Sequence, residues 1–253
     1  MQITTQSKSI EMFTSNYHSY RKVLIFDVET TGLIPKVNPV TKLPPPIEQC
    51  PHIIQLSYVI YNMYDHVIED GYNAYINISQ DIAISPKITE LTDITREICD
   101  KGIPIIEALE QFYYAYKECD CIVAHNLDFD SGMIQIELER NREALLQRNP
   151  EILKLFKSEF DKFGMEKFCT MMSSIHSCGI LVTNIDKKGH TYSYKKFPKL
   201  SETYEHLFSQ IPRNLHNSMM DTLVCLRCYL KMRHGLDIHN SKFAFWVEKY
   251  MKM

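Results

Sequence analysis

Two acids, Asp27 and Glu29, close an otherwise apolar stretch that begins at Val23. Alternate residues of a β-strand point to the same side, so both carboxylates would share one face. A bare carboxylate is costly to bury unless it is paired, protonated or bound to a metal, and no lysine or arginine stands beside these two on that face. The pair therefore predicts a divalent-cation site. The turn from Thr30 to Gly32 follows, where glycine lets a ligand approach the backbone closely.

A third acid, Asp130, lies near the start of a predicted helix that runs from Leu127 to about Arg148. It precedes Met133 and Ile134 by three and four residues, so its side chain shares their inward direction. A short buried strand over Cys121–Ala124 delivers the chain to this helix. Ligands of an α/β sheet collect beyond the carboxyl ends of its parallel strands, so we expect Asp130 to meet the first two acids there.

A histidine, His216, precedes the fourth acid, Asp221, by five residues. Five residues turn a helix through about 140°, so the two side chains would not share a face if both were helical. His216 is therefore predicted to lie just before the helix, with Asn217 or Ser218 as the cap, which lets the imidazole and the carboxylate converge. A histidine with an ordinary pKa of about 6.5 suits proton transfer near neutral pH.

The hydrophobic pattern predicts the elements that position these groups. β-Branched and apolar enrichment predicts strands over Val23–Val28, His52–Tyr61 and Val67–Ile78. The short link between the last two indicates an antiparallel hairpin. Helical spacing predicts two short helices that start at Ser85–Pro86 and at Asp93, and a longer one over Pro104–Glu118. A further helix is predicted to start at Pro150 and to continue to Phe160. The remaining predicted helices cover Leu200–Phe208, with Ser201 as a candidate cap, the segment after His216, and Ser241–Tyr250. Residues 168–175 fit a strand or a helix equally.

Two segments each allow two interpretations. Residues 34–51 hold six prolines, which exclude regular structure, so they predict a long loop that is either an inert insertion or part of a substrate rim. Residues 180–197 predict a β-hairpin with its turn at Lys187–Gly189, followed by Tyr194, Lys195 and Lys196. Interleaved lysines and tyrosines suit a surface that neutralises phosphates and stacks bases, and a plain solvated hairpin fits equally well.

Composition narrows the class of protein. The chain has 253 residues, 45% of them hydrophobic, so it can bury a large core, and its net charge of -3 excludes a strongly basic protein. No stretch approaches the roughly 20 apolar residues that span a bilayer, and the polar start lacks a signal-peptide core. Several of the eight cysteines sit in apolar runs, as in a reducing compartment. We therefore expect an intracellular protein, cytoplasmic or nuclear, that is neither secreted nor membrane-bound.

These motifs together resemble the DEDDh-class 3′-to-5′ exonucleases, which have a ribonuclease H-like fold. The resemblance spans about residues 22–233 and rests on Phe26–Leu33, His125–Asp130 and the pair His216 and Asp221, supported by Ile53–Leu56, Leu91–Thr95 and Pro198–Leu200. It implies an α/β fold whose mixed central sheet is antiparallel over its first three strands, then parallel, and is flanked by helices. We expect a polar leader over residues 1–20, an exonuclease domain over 21–235, and an extension over 236–253 packed on the same domain.

The resemblance also implies a two-metal site with a histidine base. Asp27, Glu29, Asp130 and Asp221 would organise two Mg²⁺ or Mn²⁺ ions, with His216 as the general base. Oxygen ligands suit these hard ions better than zinc. Asp27 would bridge the ions, Glu29 and Asp221 would complete one of them, and Asp130 would hold the other. The family's Phe-Asp pair falls on Asp130 rather than on the neighbouring acid Asp128.

The same resemblance implies substrate contacts at the end of the first predicted strand, whereas the hairpin surface of Tyr192, Tyr194, Lys195 and Lys196 is predicted from residue types alone. Thr30, Thr31, Gly32 and Leu33 would receive the terminal nucleotide, with Leu33 packed on its base and Asn126 supporting the site. The lysines and tyrosines named above complete this set. Asp93 stands where glycine is frequent in the family and Ser218 where alanine is common, and neither is a predicted ligand.

The expected partner is the 3′ end of a nucleic acid, single-stranded in preference, with DNA favoured somewhat over RNA and nucleoside monophosphates as products. The acids themselves would serve either backbone. One alternative is a catalytically inactive nucleic-acid-binding or scaffold protein with the same fold. Another is a proofreading subunit held by a polymerase. Homo-oligomerisation is left undetermined.

Overall fold

The computed structural model describes residues 21–157, 165–238 and 241–251. The predicted polar leader, residues 1–20, lies outside the described residues. One sheet has the strand order β4-β3-β2-β1-β5-β6. Its strands are β1 (Lys22–Thr30), β2 (Ile53–Asn62), β3 (Val67–Asn77), β4 (Ile103–Pro104), β5 (Cys121–Ala124) and β6 (Glu166–Cys169). A separate two-stranded sheet pairs β7 (Leu181–Ile185) with β8 (Thr191–Lys195).

Strand directions confirm the predicted mixed sheet. β2 runs antiparallel to both β1 and β3, whereas β5 runs parallel to β1 and β6 parallel to β5. The helices are α1 (Pro86–Thr92), α2 (Arg96–Asp100), α3 (Ile105–Glu118), α4 (Leu127–Arg140), α5 (Arg142–Arg148), α6 (Thr170–Cys178), α7 (Leu200–Phe208), α8 (Ser218–His234) and α9 (Ser241–Met251). Short 3-10 helices cover Ile47–Gln49 and Pro150–Lys154.

β1 separates two apolar cores because its side chains alternate. Leu24 and Phe26 pack with residues of α3 and α4 on one face, whereas Val23 and Ile25 pack with α8 on the other. By the same alternation, the two acids continue the α8 face at the end of the strand. The site acids therefore lie where the sheet, α4 and α8 meet.

Two predicted helical segments differ from the structure. The helix predicted from Leu127 to Arg148 breaks at Asn141, whose side-chain amide donates to the carbonyl oxygen of Glu137 at 2.9 Å and so ends α4. The restart at Pro150 gives one short 3-10 helix, after which Phe156 turns into the core with φ 60. Its predicted continuation to Phe160 falls outside the described residues.

The other differences concern helix starts. Residues 168–175, whose sequence fits a strand or a helix equally, contain the last two residues of β6 and the first six residues of α6. At α7 the backbone N–H of Lys199 donates to the Glu202 carboxylate at 2.8 Å, so Ser201 is not the cap. α9 lies within the predicted C-terminal extension and packs against α8 and β3.

Arg140 at the end of α4 fastens the proline-rich loop. Its guanidinium donates to the carbonyl oxygens of Ile47, Cys50 and Pro51 at 3.2, 3.0 and 3.1 Å. It also pairs at 2.5 Å with Glu137, whose carboxylate is only 2% exposed. Burial raises the pKa of Glu137, and the Arg140 guanidinium opposes that rise. The loop is therefore held against α4 by hydrogen bonds to the Arg140 guanidinium, which the ion pair with Glu137 orients.

We expect Arg140→Ala to lower the free energy of unfolding by about 3–5 kcal/mol, because it leaves the buried Glu137 carboxylate without its partner. The matched control is Arg142→Ala, which removes an exposed pair with Glu139 and should cost less than about 1 kcal/mol. Urea unfolding followed by tryptophan fluorescence measures both. Equal costs for the two variants would contradict the role assigned to Arg140.

Candidate active site

Four carboxylates from three elements converge at the carboxyl end of β1. Asp27 and Glu29 come from β1 itself, Asp130 from the first turn of α4, and Asp221 from the first turn of α8. Asp130 is 2% exposed and accepts the backbone N–H of Val28 at 3.2 Å. This hydrogen bond links the start of α4 to the strand that carries the other two acids. The structure thus brings together all four predicted acids.

The start of α8 is docked onto the sheet by hydrogen bonds. Asn217 caps the helix, as predicted, with its side-chain oxygen accepting backbone N–H groups of the first turn. The Ser218 hydroxyl donates to the backbone oxygen of Asp27 at 2.6 Å, and its N–H donates to the side chain of Gln55 at 3.2 Å. The orientation of Asp221 is therefore fixed relative to β1 and β2.

His216 lies beside two of the acids. It precedes α8 with a left-handed backbone, φ 70, and its N–H donates to the Asp221 carboxylate at 3.3 and 3.4 Å. One ligand atom each from Glu29, His216 and Asp221 lie within 4.8 Å of one another. The five-residue spacing from His216 to Asp221 thus produces the predicted convergence.

Crowding raises the pKa of every one of the four acids. Desolvation is the largest cause for all four, and repulsion from neighbouring carboxylates adds to it for Asp27, Glu29 and Asp130. The pKa of Glu29 rises to about 9 and that of Asp221 to about 7, and those of Asp27 and Asp130 rise well above their ordinary values. Among the described residues, no lysine or arginine is among the causes that shift these four pKa values.

The two histidines of the motifs have different surroundings. Partial desolvation and the nearby ammonium of Lys199 lower the pKa of His216. His125 is buried between Thr170 and Pro198, with ring nitrogens 2.9 Å from the Thr170 hydroxyl and 3.1 Å from the Pro198 carbonyl oxygen. Burial lowers the pKa of His125 to about 4. His125 therefore fixes the approach to α7, and His216 alone of the two faces the acids.

A cavity lies at the predicted nucleotide site, directly after the end of β1. It has a volume of about 340 Å³ and is lined by Thr31, Gly32 and Leu33 together with residues 48–52 and 81–83. The Thr31 hydroxyl accepts the His52 N–H at 2.9 Å, and the Leu33 side chain is 83% exposed. Residues 48–52 belong to the proline-rich loop and its exit, which favours the substrate-rim interpretation of that loop.

The remaining predicted substrate residues are dispersed. Thr30 is buried, and its hydroxyl donates to the Gly32 carbonyl oxygen at 2.6 Å. Asn126 begins α4 with a left-handed backbone, φ 71. Tyr194, Lys195 and Lys196 lie on or directly after β8, outside the main sheet. The structure does not place these last three in the acid cluster.

Three polar residues near the site make contacts that the sequence analysis does not predict. Gln55 and Ser218 hold α8 to the sheet, and Lys199 lies close enough to His216 to affect its pKa. Gln55 and Lys199 lie within supporting motifs of the family resemblance, and Ser218 lies between His216 and Asp221. Membership of these motifs is the sequence signal that could have identified them. Gln55 contacts Ser218 about 160 residues away, Ser218 contacts Asp27 about 190 residues away, and Lys199 precedes His216 by 17 residues. Spacing along the sequence therefore does not predict these three contacts.

The family model described as exonuclease, RNase T, matches residues 24–229. The chain belongs to this exonuclease family. The predicted membership is thereby confirmed, and the matched region includes all four acids and His216. Divalent metal ions are general in the family. No curated protein sequence matches the chain.

Solved exonuclease structures share the fold at low sequence identity. A 3′-exonuclease that recognises the 3′ end of a histone mRNA stem-loop has a TM-score of 0.58 and 16% identity, with 87% of this chain and 84% of that chain covered. E. coli exonuclease I with a dT13 oligonucleotide has a TM-score of 0.53 and 16% identity, with 85% and 42% covered. The chain therefore spans less than half of exonuclease I. These neighbours confirm the predicted ribonuclease H-like fold class.

Another neighbour is a zinc-bound form of E. coli exonuclease I with single-stranded DNA, with a TM-score of 0.52, 16% identity, and 88% of this chain and 42% of that chain covered.

Within the described ranges, no helix of this exonuclease-family chain is long and apolar enough to cross a bilayer.

The raised pKa values predict how pH affects the metal-free protein. Glu29 has an ordinary pKa of 4.5 and a folded pKa of about 9, so the folded state holds a proton that the unfolded state has released. Its contribution to stability is complete below about pH 4.5 and is lost as pH rises towards 9. In EDTA we expect the Tm to fall between neutral pH and about pH 8.5, and Glu29→Gln to reduce this fall.

The exposed acid Glu90 supplies the control, because Glu90→Gln should follow the wild type. Excess Mg²⁺ should raise the Tm most at the alkaline end, since a bound cation stabilises ionised carboxylates, by about 2.7 kcal/mol of stability at a hundredfold excess over its Kd. Differential scanning fluorimetry across this range measures both effects. A wild-type Tm that is independent of pH and of Mg²⁺ would show that the acids are neither crowded nor metal-binding.

Proposed function

We propose that the chain is a metal-dependent 3′-to-5′ exonuclease that removes nucleoside monophosphates from the 3′ end of a single strand. The observation that carries the proposal is the convergence of four carboxylates and His216 at the end of β1, with Glu29, His216 and Asp221 in mutual contact range. Family membership supports hydrolysis of nucleic acid. Similarity in fold to a 3′-exonuclease supports the 3′-to-5′ direction.

The donor set fits divalent cations. Four carboxylates share one desolvated site, and in the part of the chain that the structure describes no lysine or arginine is among the causes that shift their pKa values. An all-oxygen set of this kind suits Mg²⁺ or Mn²⁺. We propose that Asp27, Glu29, Asp130 and Asp221 hold two such ions. When bound, the ions supply an activated nucleophile and offset charge on the phosphoryl and leaving oxygens.

His216 is proposed as the general base. Its lowered pKa leaves the imidazole neutral at neutral pH, so the ring is ready to accept a proton from the attacking water. The His216 ring offers a nitrogen within 4.8 Å of carboxylate oxygens of Glu29 and Asp221, two of the proposed metal ligands. Lys199 favours the neutral ring before the reaction.

The cavity beside Thr31 to Leu33 is proposed to receive the terminal nucleotide. Its 340 Å³ volume is at the lower end of the range for small-molecule sites, about 300–1,000 Å³, which suits a single nucleotide. The exposed Leu33 side chain is available to pack on the base. One structural neighbour recognises an RNA stem-loop and another binds a DNA oligonucleotide. The first activity assay should therefore include both single-stranded DNA and single-stranded RNA as substrates.

Removal of the acids tests the reaction. Asp27→Ala should abolish Mg²⁺-dependent release of mononucleotides while the protein stays folded. Asp130→Asn should reduce release by at least about a hundredfold, because even outer partners of metal ligands contribute 10–100-fold. The matched control is Asp128→Asn, an exposed acid two residues earlier on the same helix, which should keep wild-type activity. Undiminished digestion by the Asp27 variant would end the proposal.

The role of His216 predicts a separate effect on rate. His216→Ala should lower the single-turnover rate by about 10²–10⁴-fold, as expected for a lost general base, and change oligonucleotide affinity much less. The exposed His206 provides the control substitution His206→Ala. Rapid-quench kinetics with excess enzyme separate the rate from binding. An unchanged single-turnover rate would remove His216 from the reaction.

A further inference from the structure

Residues 180–196, called the arm here, stand apart from the main sheet. Its strands β7 and β8 hydrogen-bond to each other and, within the described parts of the chain, to no strand of the six-stranded sheet. Every residue of β8 is exposed, as is all of β7 except Val182. An isolated two-stranded hairpin is marginally stable in water. Both faces of the arm are therefore open to a partner.

One face of the arm carries two parallel aromatic rings. The register pairs Val182 with Tyr194 and Asn184 with Tyr192, so these four side chains share a face. The two tyrosine rings stack with centroids 6.1 Å apart and planes 23° apart, and the residues are 49% and 45% exposed. Exposed, ordered rings of this kind are the surface on which unpaired bases stack.

The charge of the arm is opposite to that of the rest of the chain. It contains four lysines and one aspartate, although the whole chain has a net charge of -3. Lys187 and Lys188 occupy the exposed tip, where Asp186 accepts backbone N–H groups of the turn and contacts the His190 ring at 3.2 Å. The lysine side chains at the tip thus remain available to phosphates. Charge complementarity favours an anionic partner, and the stacked tyrosine rings favour a nucleic acid among anionic partners.

The base of the arm is fastened next to the acid cluster. Lys196 pairs with Glu202 at 2.5 Å, and the Pro198 carbonyl oxygen contacts His125. Lys199, which influences His216, follows the end of β8 at Lys195 by four residues. Four residues span at most about 14 Å, so the end of β8 lies within that distance of Lys199, the residue whose charge acts on His216.

We propose that the arm binds the single-stranded nucleic acid on the 5′ side of the scissile bond. Tyr192 and Tyr194 stack on its bases, and Lys187 and Lys188 contact its phosphates. Lys196 acts as a positioning residue through its pair with Glu202. This inference rests on the proposed exonuclease function for the identity of the ligand, and it adds a second contact region that selects long single strands over short ones.

Direct binding tests the arm independently of catalysis. The probe is a fluorescent oligothymidylate whose anisotropy is measured with Asp27→Asn protein in EDTA, so that digestion does not occur. Tyr192→Ala with Tyr194→Ala should weaken binding on the order of tenfold or more. The control replaces two other exposed tyrosines, Tyr64 and Tyr114, which are 86% and 55% exposed, and should leave the Kd unchanged.

Salt dependence separates the lysines from the rings. Lys187→Ala with Lys188→Ala should reduce the slope of log K against log salt by about 1.4, since each phosphate contact on a single strand contributes about 0.7. The tyrosine pair should weaken binding with little change of slope. Two exposed lysines of α9, Lys242 and Lys249, give the control pair, whose replacement by alanine should leave the slope as it is.

Digestion of strands of different length provides the functional readout. With wild-type protein, KM should fall as the strand is lengthened from a trinucleotide to one that reaches the arm. The tyrosine variant should lose this dependence on length. If wild-type protein releases no mononucleotides but the arm variants still lose affinity for the oligothymidylate, the proposed exonuclease function is wrong, and the proposal that the arm binds single strands is supported.

Two results would overturn the arm proposal. One is unchanged affinity and unchanged length dependence in both arm variants while the wild type digests DNA. The other is unchanged affinity together with loss of a dimer, seen by light scattering after gel filtration, which would make the arm a contact between copies of the chain. Circular dichroism of each variant checks that the main fold is retained.

Discussion

Repulsion among four carboxylates at the end of β1 is the constraint that the rest of the structure accommodates. Asp27, Glu29, Asp130 and Asp221 come from a central strand and two helices, and their pKa values all rise because the site is desolvated and shared. Such a cluster opposes folding unless charge is removed or offset. Its retention within an otherwise apolar core is understandable if cations complete it.

The scaffold holds this cluster by hydrogen bonds to rigid elements. The Asp130 carboxylate accepts a β1 backbone N–H, and Ser218 joins the start of α8 to both β1 and Gln55 of β2. Parallel pairing of β1 with β5 brings the α4 start to the same sheet edge. The acids are consequently positioned by secondary structure and not by loops, which is the arrangement that precise metal and substrate geometry requires.

Features set by local chemistry could be predicted from the sequence. The alternation of β1 assigned Asp27 and Glu29 to one face, and the capping preference of asparagine placed His216 just outside α8. Both depend on residues within one turn or one strand. The family motifs then extended these local predictions to the set of five residues that the structure brings together.

Features set by tertiary contacts could not be predicted. The chain after Pro150 leaves the helical path where Phe156 enters the core. Arg140 gains its importance from three carbonyl oxygens of a loop some 90 residues earlier. Each partner is distant in sequence, and no period or spacing records it.

The polarity of digestion tests the central claim most directly. A long single strand labelled at its 5′ end is incubated with the protein and Mg²⁺, and the products are resolved on a sequencing gel. The account predicts a ladder of labelled products that shorten progressively, and none in EDTA. Immediate release of the label as a mononucleotide, early internal fragments, or no Mg²⁺-dependent digestion would contradict it.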